Sequence, residues 1–487
     1  MYSGRKELAA LIAACLLPAI AIGCGSTQSP AAWDTEWVPP EPEGADTVWE
    51  EISSAEVPPA ETEQGLKDLV GLALKQNPST RQAWASARAA EASVGEARAA
   101  WYPWLTVSAD GTYQREDYTV KDPAAAVLGQ DIDQYTYGPG AQLTWLLLDL
   151  GGRGARIDQA LQLLLAADYQ FNQALQNLLL SVEQAYFNYD AAVSTEAAAQ
   201  ADLDDARTSL EAARDRVQAG LASKLEELQA ESNYYNALYA LEDSRGTVKD
   251  ALGTVAQTVG VKADTPLAVA LPQGEPPLDL PREEVGKMID AAIAQRPDIA
   301  ARRAQVGSLA AAVSAADSDL WPTLNLGGNA AGTWYSYNGD FEPYDRSWNL
   351  VGFLQINWDI FSGFSDRSAK LAAQADLESA LQGLRQAELA ASADVWTAYN
   401  NFGTAVEKYK AGKALFASAQ ASYDYALDSY KAGLDSILDL LQAQSQLSTA
   451  RSKLVASRRD VHLAIAGLAY STGSLTVASY KDETLNQ

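Results

Sequence analysis

Two different periods of hydrophobic positions run through this chain. In Ser347 to Ile360, SWNLVGFLQINWDI, apolar and polar residues alternate. Trp348, Leu350, Leu354, Ile356, Trp358 and Ile360 fall on one face of an extended segment, and Ser347, Asn349, Gln355, Asn357 and Asp359 on the other. Elsewhere the period is helical. Leu161, Leu164, Phe171, Leu175, Leu178, Val182, Ala185 and Tyr189 step by threes and fours, with Asp168 interrupting. Leu440, Leu447, Leu454, Val461 and Leu468 recur every seven residues, the spacing of coiled-coil packing. No proline lies between Leu150 and Pro266 or between Pro343 and Gln487, so only glycine breaks helix there. The pattern predicts a helix from about Gly154 to Gln218, roughly 65 residues and about 100 Å long.

The elements come twice. Pro78 and Pro297 are 219 residues apart, as are Pro103 and Pro322. Ala219-Gly220-Leu221 and Ala432-Gly433-Leu434 are 213 apart, as are Leu228-Gln229-Ala230 and Leu441-Gln442-Ala443, and Trp145 and Trp358. A tandem duplication over residues 65–282 and 283–472 is expected, with a C-terminal tail over 473–487. Each copy reads as a proline-opened helix, a strand (104–114 or 323–337), a polar loop and a second strand (135–148 or 347–360). A very long helix, an Ala-Gly-Leu break and another long helix complete it.

The strands carry a length as well as a period. Trp348 and Trp358 are ten residues apart, about 33 Å along a strand at ~3.3 Å per residue. A tilt of about 40° reduces this to about 25 Å, the height of the lipid-facing band of an outer-membrane barrel. In the first copy Tyr135, Tyr137, Leu143, Trp145 and Leu147 play the same part, so Trp145, Trp348 and Trp358 are the candidate membrane-interface aromatics. A half-buried strand in a soluble sandwich also alternates, but it gives no reason for that aromatic spacing. Two strands per copy give four per chain. A closed barrel takes about eight, and open edges are not tolerated in lipid. Several chains must pool their strands.

Composition narrows the partners. The chain has 487 residues, with 36 basic against 63 acidic ones and a formal charge of −27. That argues against nucleic acid or anionic lipid as a partner and suits a solvated protein or a conduit favouring cations. The two cysteines are Cys15 and Cys24, and His462 is the one histidine. Cysteine nucleophiles, cysteine or histidine metal sites and a Ser-His-Asp triad are therefore excluded. No metal, cofactor or enzymatic activity is expected, and His462 reads as a structural or surface residue. Leu150-Gly151-Gly152-Arg153-Gly154 has neither the dinucleotide spacing nor a Walker lysine; it reads as a strand-to-helix turn.

The N-terminus has the features of an export signal. Arg5 and Lys6 precede an apolar run from Leu8 to Ile22, too short to span a bilayer but suited to a signal peptide over 1–23. Ala-Ile-Gly-Cys resembles the bacterial lipoprotein cleavage box, with Ala21 where leucine is usual. Cys24 would then be the lipidated N-terminus, and Ser26 favours the outer membrane. Ordinary secretion with an incidental cysteine is the alternative. Residues 24–64 read as an acidic, proline-rich spacer, with Trp33, Trp37 and Trp49 as points of docking on the folded body.

Duplicated helix–hairpin–long-helix units, opened by Asn77-Pro78 and Arg296-Pro297 and broken at Ala-Gly-Leu, resemble the TolC-like outer-membrane efflux proteins over about residues 65–472. With the cleavage box, the lipidated OprM-like branch is the nearest match. The resemblance implies a mainly α protomer with a transmembrane β part: a homotrimer whose 12-stranded β-barrel is continued by a 12-helix periplasmic α-barrel. It implies an outer-membrane exit duct working with a periplasmic adaptor and an inner-membrane transporter. The tips at Gly220-Leu221 and Gly433-Leu434 would dock the adaptor. Asp424 and Asp428, one helical turn apart, would form the periplasmic gate, with Asp215 as a weaker candidate. Phe364-Ser365 stands where the first copy has Gly151-Gly152, which leaves the second strand-to-helix turn open. A type I protein secretion duct is an alternative, as is a periplasmic coiled-coil scaffold or adaptor lipoprotein.

Overall fold

A computed structural model describes residues 63–120, 128–279, 284–338 and 345–481. Cys24, the signal segment and the spacer tryptophans lie outside them. The elements in chain order are α1 (Leu66–Gln76), α2 (Pro78–Ala99), β1 (Trp104–Val120), β2 (Leu128–Leu148), α3 (Gly152–Gln218) and α4 (Lys224–Val259). There follow α5 (Val285–Gln295), α6 (Pro297–Ser318), β3 (Thr323–Asn338), β4 (Arg346–Asn357), α7 (Ser365–Ala432), α8 (Ile437–Thr472) and the short α9 (Val477–Lys481) in the tail. The order helix–helix–hairpin–long helix–helix occurs twice.

The chain divides into two compact units. One comprises residues 89–165 and 303–383 and holds the sheet. Its four antiparallel strands lie in the order β1-β2-β3-β4, so β1 and β4 are edges. The duplication is visible in the ladder. Trp104 pairs Thr144 in the first hairpin. Displaced by 219 and 213 residues respectively, they become Thr323 and Asn357, which pair in the second. The same holds for Leu105–Leu143 and Leu324–Ile356.

The other unit comprises the remaining residues and is built from the long helices. One of its cores lies between α3, α4, α7 and α8. Ala213, Ala230, Tyr430, Leu440, Leu447 and Ala450 are completely buried there, the alanines letting helix backbones approach closely. A second core gathers Val395, Phe402, Val406 and Tyr409 of α7 with Val461 and Leu468 of α8 and Met288 and Ala292 of α5. The seven-residue leucine pattern of α8 is thus its buried seam. On α3, Phe171, Leu175, Leu178, Val182 and Ala185 are buried as the period predicts, and so is the interrupting Asp168. No helix among the described residues is long and apolar enough to cross a membrane.

Candidate functional site

Strand alternation and register together assign the side chains of residues 104–115, 133–148, 323–336 and 346–357 to two faces. One face carries Leu105, Val107 and Ala109 of β1, opposite Leu143, Ala141 and Pro139 of β2. It continues through Leu324, Leu326 and Ala330 of β3 to Ile356, Leu354 and Leu350 of β4. The other face carries Thr106, Ser108, Asp110 and Thr112, then Gln142 and Thr144, then Asn325 and Asn329, then Asn349, Gln355 and Asn357. The apolar face is uncovered within one chain, Leu350 and Ile356 being more than 70% exposed.

An aromatic row crosses all four strands near the hairpin loops. Tyr113 lies 4.8 Å from Tyr135, Tyr137 stacks 6.1 Å from Trp334, and Trp334 meets Trp348 edge-on at 6.3 Å. Near the opposite ends stand Trp145 and Trp358. Each indole N–H donates to a carbonyl of the preceding helix-to-strand turn, Trp145 to Trp101 at 3.0 Å and Trp358 to Leu320 at 3.2 Å. Two bonds in equivalent places of the two copies hold these rings at the helix-joined end of the sheet.

The strand through Trp358 is shorter than the alternation implies. β4 stops at Asn357, so Trp358 and Ile360 are not strand residues. Chain direction changes there, with Gly363 and Phe364 both at positive φ, 65° and 68°. Two large residues also sit on the polar face, Val351 and Phe353. Phe353 lies over Gly327, its cross-strand partner, where a Cβ would meet the ring at 2.1 Å.

The first strand-to-helix turn is held differently. Leu150 and Gly151 have φ of 51° and 107°, and Arg153 turns inward rather than to solvent. Its guanidinium donates to the Leu146 and Leu147 carbonyls at 2.7 and 2.9 Å and lies 4.0 Å over the Trp101 ring. Asp149 accepts from its backbone N–H and faces its Nε at 3.4 Å. A glycine-rich stretch that looked like a bare turn contains a buried cation satisfying the last carbonyls of β2. Position 366, its counterpart in the second copy, is Asp366.

In the helical unit both tips end alike. Gly220 and Gly433 have φ of 70° and 80°. The Gly220 N–H donates to Val217 and the Leu221 N–H to Arg216, at 3.0 and 2.8 Å; Gly433 and Leu434 donate to Tyr430 and Ser429 at 3.0 and 2.9 Å. This paired closure needs a left-handed residue, which glycine supplies without a Cβ clash. Ser223 and Ser436 then open α4 and α8 with reciprocal caps to Glu226 and Asp439. The geometry leaves Leu221 and Leu434 projecting, 71% and 79% exposed.

The gate candidates lie just before these turns. Asp424 and Asp428 are exposed on α7 and Asp215 is exposed on α3. Asp424 accepts from the Gln420 side chain at 3.0 Å, and Gln420 accepts from Arg451 at 3.3 Å. Arg451 in turn contacts Asp202 and reaches Asp205 at 2.7 Å. Burial pushes the Asp205 carboxyl up, with Arg451 opposing. Nearer the turns, the Arg216 guanidinium lies 4.4 Å over the Tyr430 ring and donates to the Tyr430 carbonyl, while Tyr430 Oη donates to Glu226 at 3.2 Å. Burial and Glu226 push the Tyr430 phenol up to about 12. The sequence pattern singles out neither clamp, because the partners of Arg216 and Arg451 lie far along the chain. His462 stacks on Phe187 at 4.3 Å, and burial lowers it to about 4, so it is a neutral packing residue.

Known proteins share this fold. The family model described as outer membrane efflux protein matches residues 69–261 and 288–474. Protein CyaE of Bordetella pertussis is 30% identical over 428 residues, 86% of this chain and 87% of that one. The pyoverdine export outer membrane protein OpmQ of Pseudomonas aeruginosa is 27% identical over 464 residues, 92% of each chain. Among solved structures, the outer-membrane channel OprN superposes with a TM-score of 0.69 at 22% identity, over 84% of this chain and 90% of that one. With the duplicated hairpins, the two-faced sheet and the glycine-closed tips, these matches make the chain a member of the outer membrane efflux protein family.

Proposed function

We propose that the chain is one third of the exit duct of a tripartite efflux system. Three copies close a twelve-stranded barrel in the outer membrane, and their long helices form a twelve-helix tunnel in the periplasm. The observation that carries this reading is the four-stranded sheet, apolar on one face, polar on the other and open at both edges. Lipid covers the apolar face, the polar face lines the lumen, and the edges are satisfied only by further copies. The export named for OpmQ supports the direction of transport. The duct is passive: an inner-membrane transporter supplies the work and a periplasmic adaptor joins the two. The adaptor seats on the tips, where Leu221 and Leu434 offer apolar knobs.

Asp424 and Asp428, with Asp215 nearby, form the gate of this duct. Threefold symmetry turns each into a ring of like charge, attracting cations and resisting closure. The test is conductance of the purified chain in planar bilayers. The parent should form cation-selective pores. The double variant Asp424→Asn, Asp428→Asn should lose much of that selectivity, most visibly at low salt, where the Debye length is about 30 Å at 0.01 M against about 3 Å at 1 M. Unchanged selectivity would put these aspartates on an ordinary solvated face, and absence of any pore would overturn the duct.

Cys24 anchors the mature chain to the outer membrane through lipid, in keeping with the cleavage box at residues 21–24. Cys24→Ser should abolish metabolic labelling with palmitate while leaving the assembled pore intact, because burial of the strands dominates insertion. Labelling that persists in the serine variant would remove the anchor.

A further inference from the structure

The polar face of the sheet carries one apolar place. Near its helix-joined end a single cross-strand row reads Trp104, Thr144, Gly327 and Phe353, each paired with the next. Alternation puts Trp104 on this face with Thr106, and its indole N–H donates to the Thr106 hydroxyl at 3.1 Å. Trp104 and Phe353 are the walls of a trough, and Thr144 and Gly327 are its floor. Leu146, which pairs Asn325, flanks it on one side, and Val351, which pairs Asn329, on the other. Trp104, Phe353 and Val351 are 72%, 47% and 44% exposed. Trp104 stands three strand spacings from Phe353, about 14 Å at ~4.8 Å each. Phe353 leans over Gly327, which narrows the opening to about two spacings, ~10 Å.

The fold does not ask for these side chains, and the duplication supplies the control. At a displacement of 219 residues Trp104 becomes Thr323; at 213, Phe353 and Val351 become Gly140 and Gly138. The pairing is the same in both hairpins, Gly140 lying opposite Ser108 where Phe353 lies opposite Gly327. A hairpin of this geometry therefore forms with a hydroxyl or no side chain at these places. The rim is polar and uncharged. The neighbouring rows carry Thr106, Gln142 and Asn329 on one side and Asn325 and Gln355 on the other, with no charged strand residue among them. Such a rim offers hydrogen bonds to an uncharged solute and nothing to an ion. The polar atom of Trp104 is already engaged by Thr106, so its ring has only its faces to offer, and stacking is the contact left to it. An opening this narrow admits a flat ring and excludes a folded partner. We propose that the trough binds the uncharged planar aromatic ring of a small amphipathic solute on its way out. The proposal rests on the polar face lining the lumen of the duct, in which three copies carry three such sites at the foot of the barrel.

Protection of a thiol in the floor tests the site. Thr144→Cys is made in the full chain and inserted in liposomes, with Ser108→Cys, two rows away on the same face, as reference. The parent, whose only cysteines are Cys15 and Cys24, gives the background. Reaction with a charged, membrane-impermeant methanethiosulfonate is timed with and without indole as the aromatic probe. Indole should slow the reaction at 144 several-fold and leave that at 108 unchanged. Adding Trp104→Thr, the residue of the other hairpin, should abolish the protection; adding Phe353→Leu, which still covers Gly327, should weaken it. Protection that survives Trp104→Thr overturns the site, as does no protection by indole at all. Equal protection by cyclohexanol would leave an apolar surface with no preference for a flat ring, and protection by maltotriose in place of indole would make it a sugar site; either overturns the proposal. If the reagent reaches neither 144 nor 108 in conducting pores, the polar face does not line the lumen, and the duct reading falls instead.

Discussion

Leu354→Arg is expected to abolish stable insertion, while Gln355→Arg, one residue further on, inserts as the parent does. Leu354 lies opposite Leu326, with Leu350 before it and Ile356 after it on the same face. It stands midway between the aromatic row at Trp348 and the rim at Trp358. A charge at mid-depth on the lipid face costs about 2–4 kcal/mol, and three copies bear it three times. Gln355 lies on the polar face, opposite Asn325 and donating to Asn357 at 2.8 Å. A cation there meets water and adds only to the lumen field. Heat-modifiable migration of outer-membrane fractions separates the outcomes. Equal insertion of both variants would mean that the sheet is not in lipid, and insertion of Leu354→Arg alone would mean that its faces are reversed.

What the sequence revealed follows from how local each signal is. Alternation in β4 and the three-four steps of α3 are properties of neighbouring residues, so both elements and their faces were legible. The tips were legible because a left-handed closure selects glycine within the turn itself. The end of β4 was not. Trp358 continues the alternation, but its indole is claimed by the Leu320 carbonyl, 38 residues away. Phe353 departs from the alternation for a reason its own strand does not show, because the glycine it covers lies on another strand. Arg153 was hidden by its own neighbours, three glycines that suggest an empty loop. Arg216 and Arg451 were hidden by distance: the carbonyl that Arg216 meets is 214 residues on, and the carboxylates of Arg451 lie 246 and 249 residues back. On an acidic helical chain every such charge has a plausible place in solvent.

Arg451 is where that distance has the largest consequence. Its one guanidinium, 13% exposed, joins α8 to Asp202 and Asp205 of α3 and to Gln420 of α7. Tyr423 of α7 adds a bond from its buried phenol to the Asp205 carbonyl at 3.1 Å. Arg451→Gln leaves two half-buried carboxylates side by side with no cation. Breaking a fully buried pair costs about 3–5 kcal/mol; with partners that keep some contact with water, about 2 kcal/mol is expected. Asp205 is already raised by burial against the pull of Arg451, so without that arginine it rises further above its unfolded value. Such a carboxyl stabilises the fold only while protonated. The deficit should therefore be fullest at neutral pH and shrink as pH falls toward about 4. Arg451→Lys keeps the charge but cannot fork between two carboxylates, and should recover only part of the loss. Because the clamp ties one long hairpin to the other near the tips, its release should also raise single-channel conductance, more at pH 7 than at pH 5. Lower thermal stability with unchanged conductance at both pH values would make Arg451 a staple of the fold with no part in the gate.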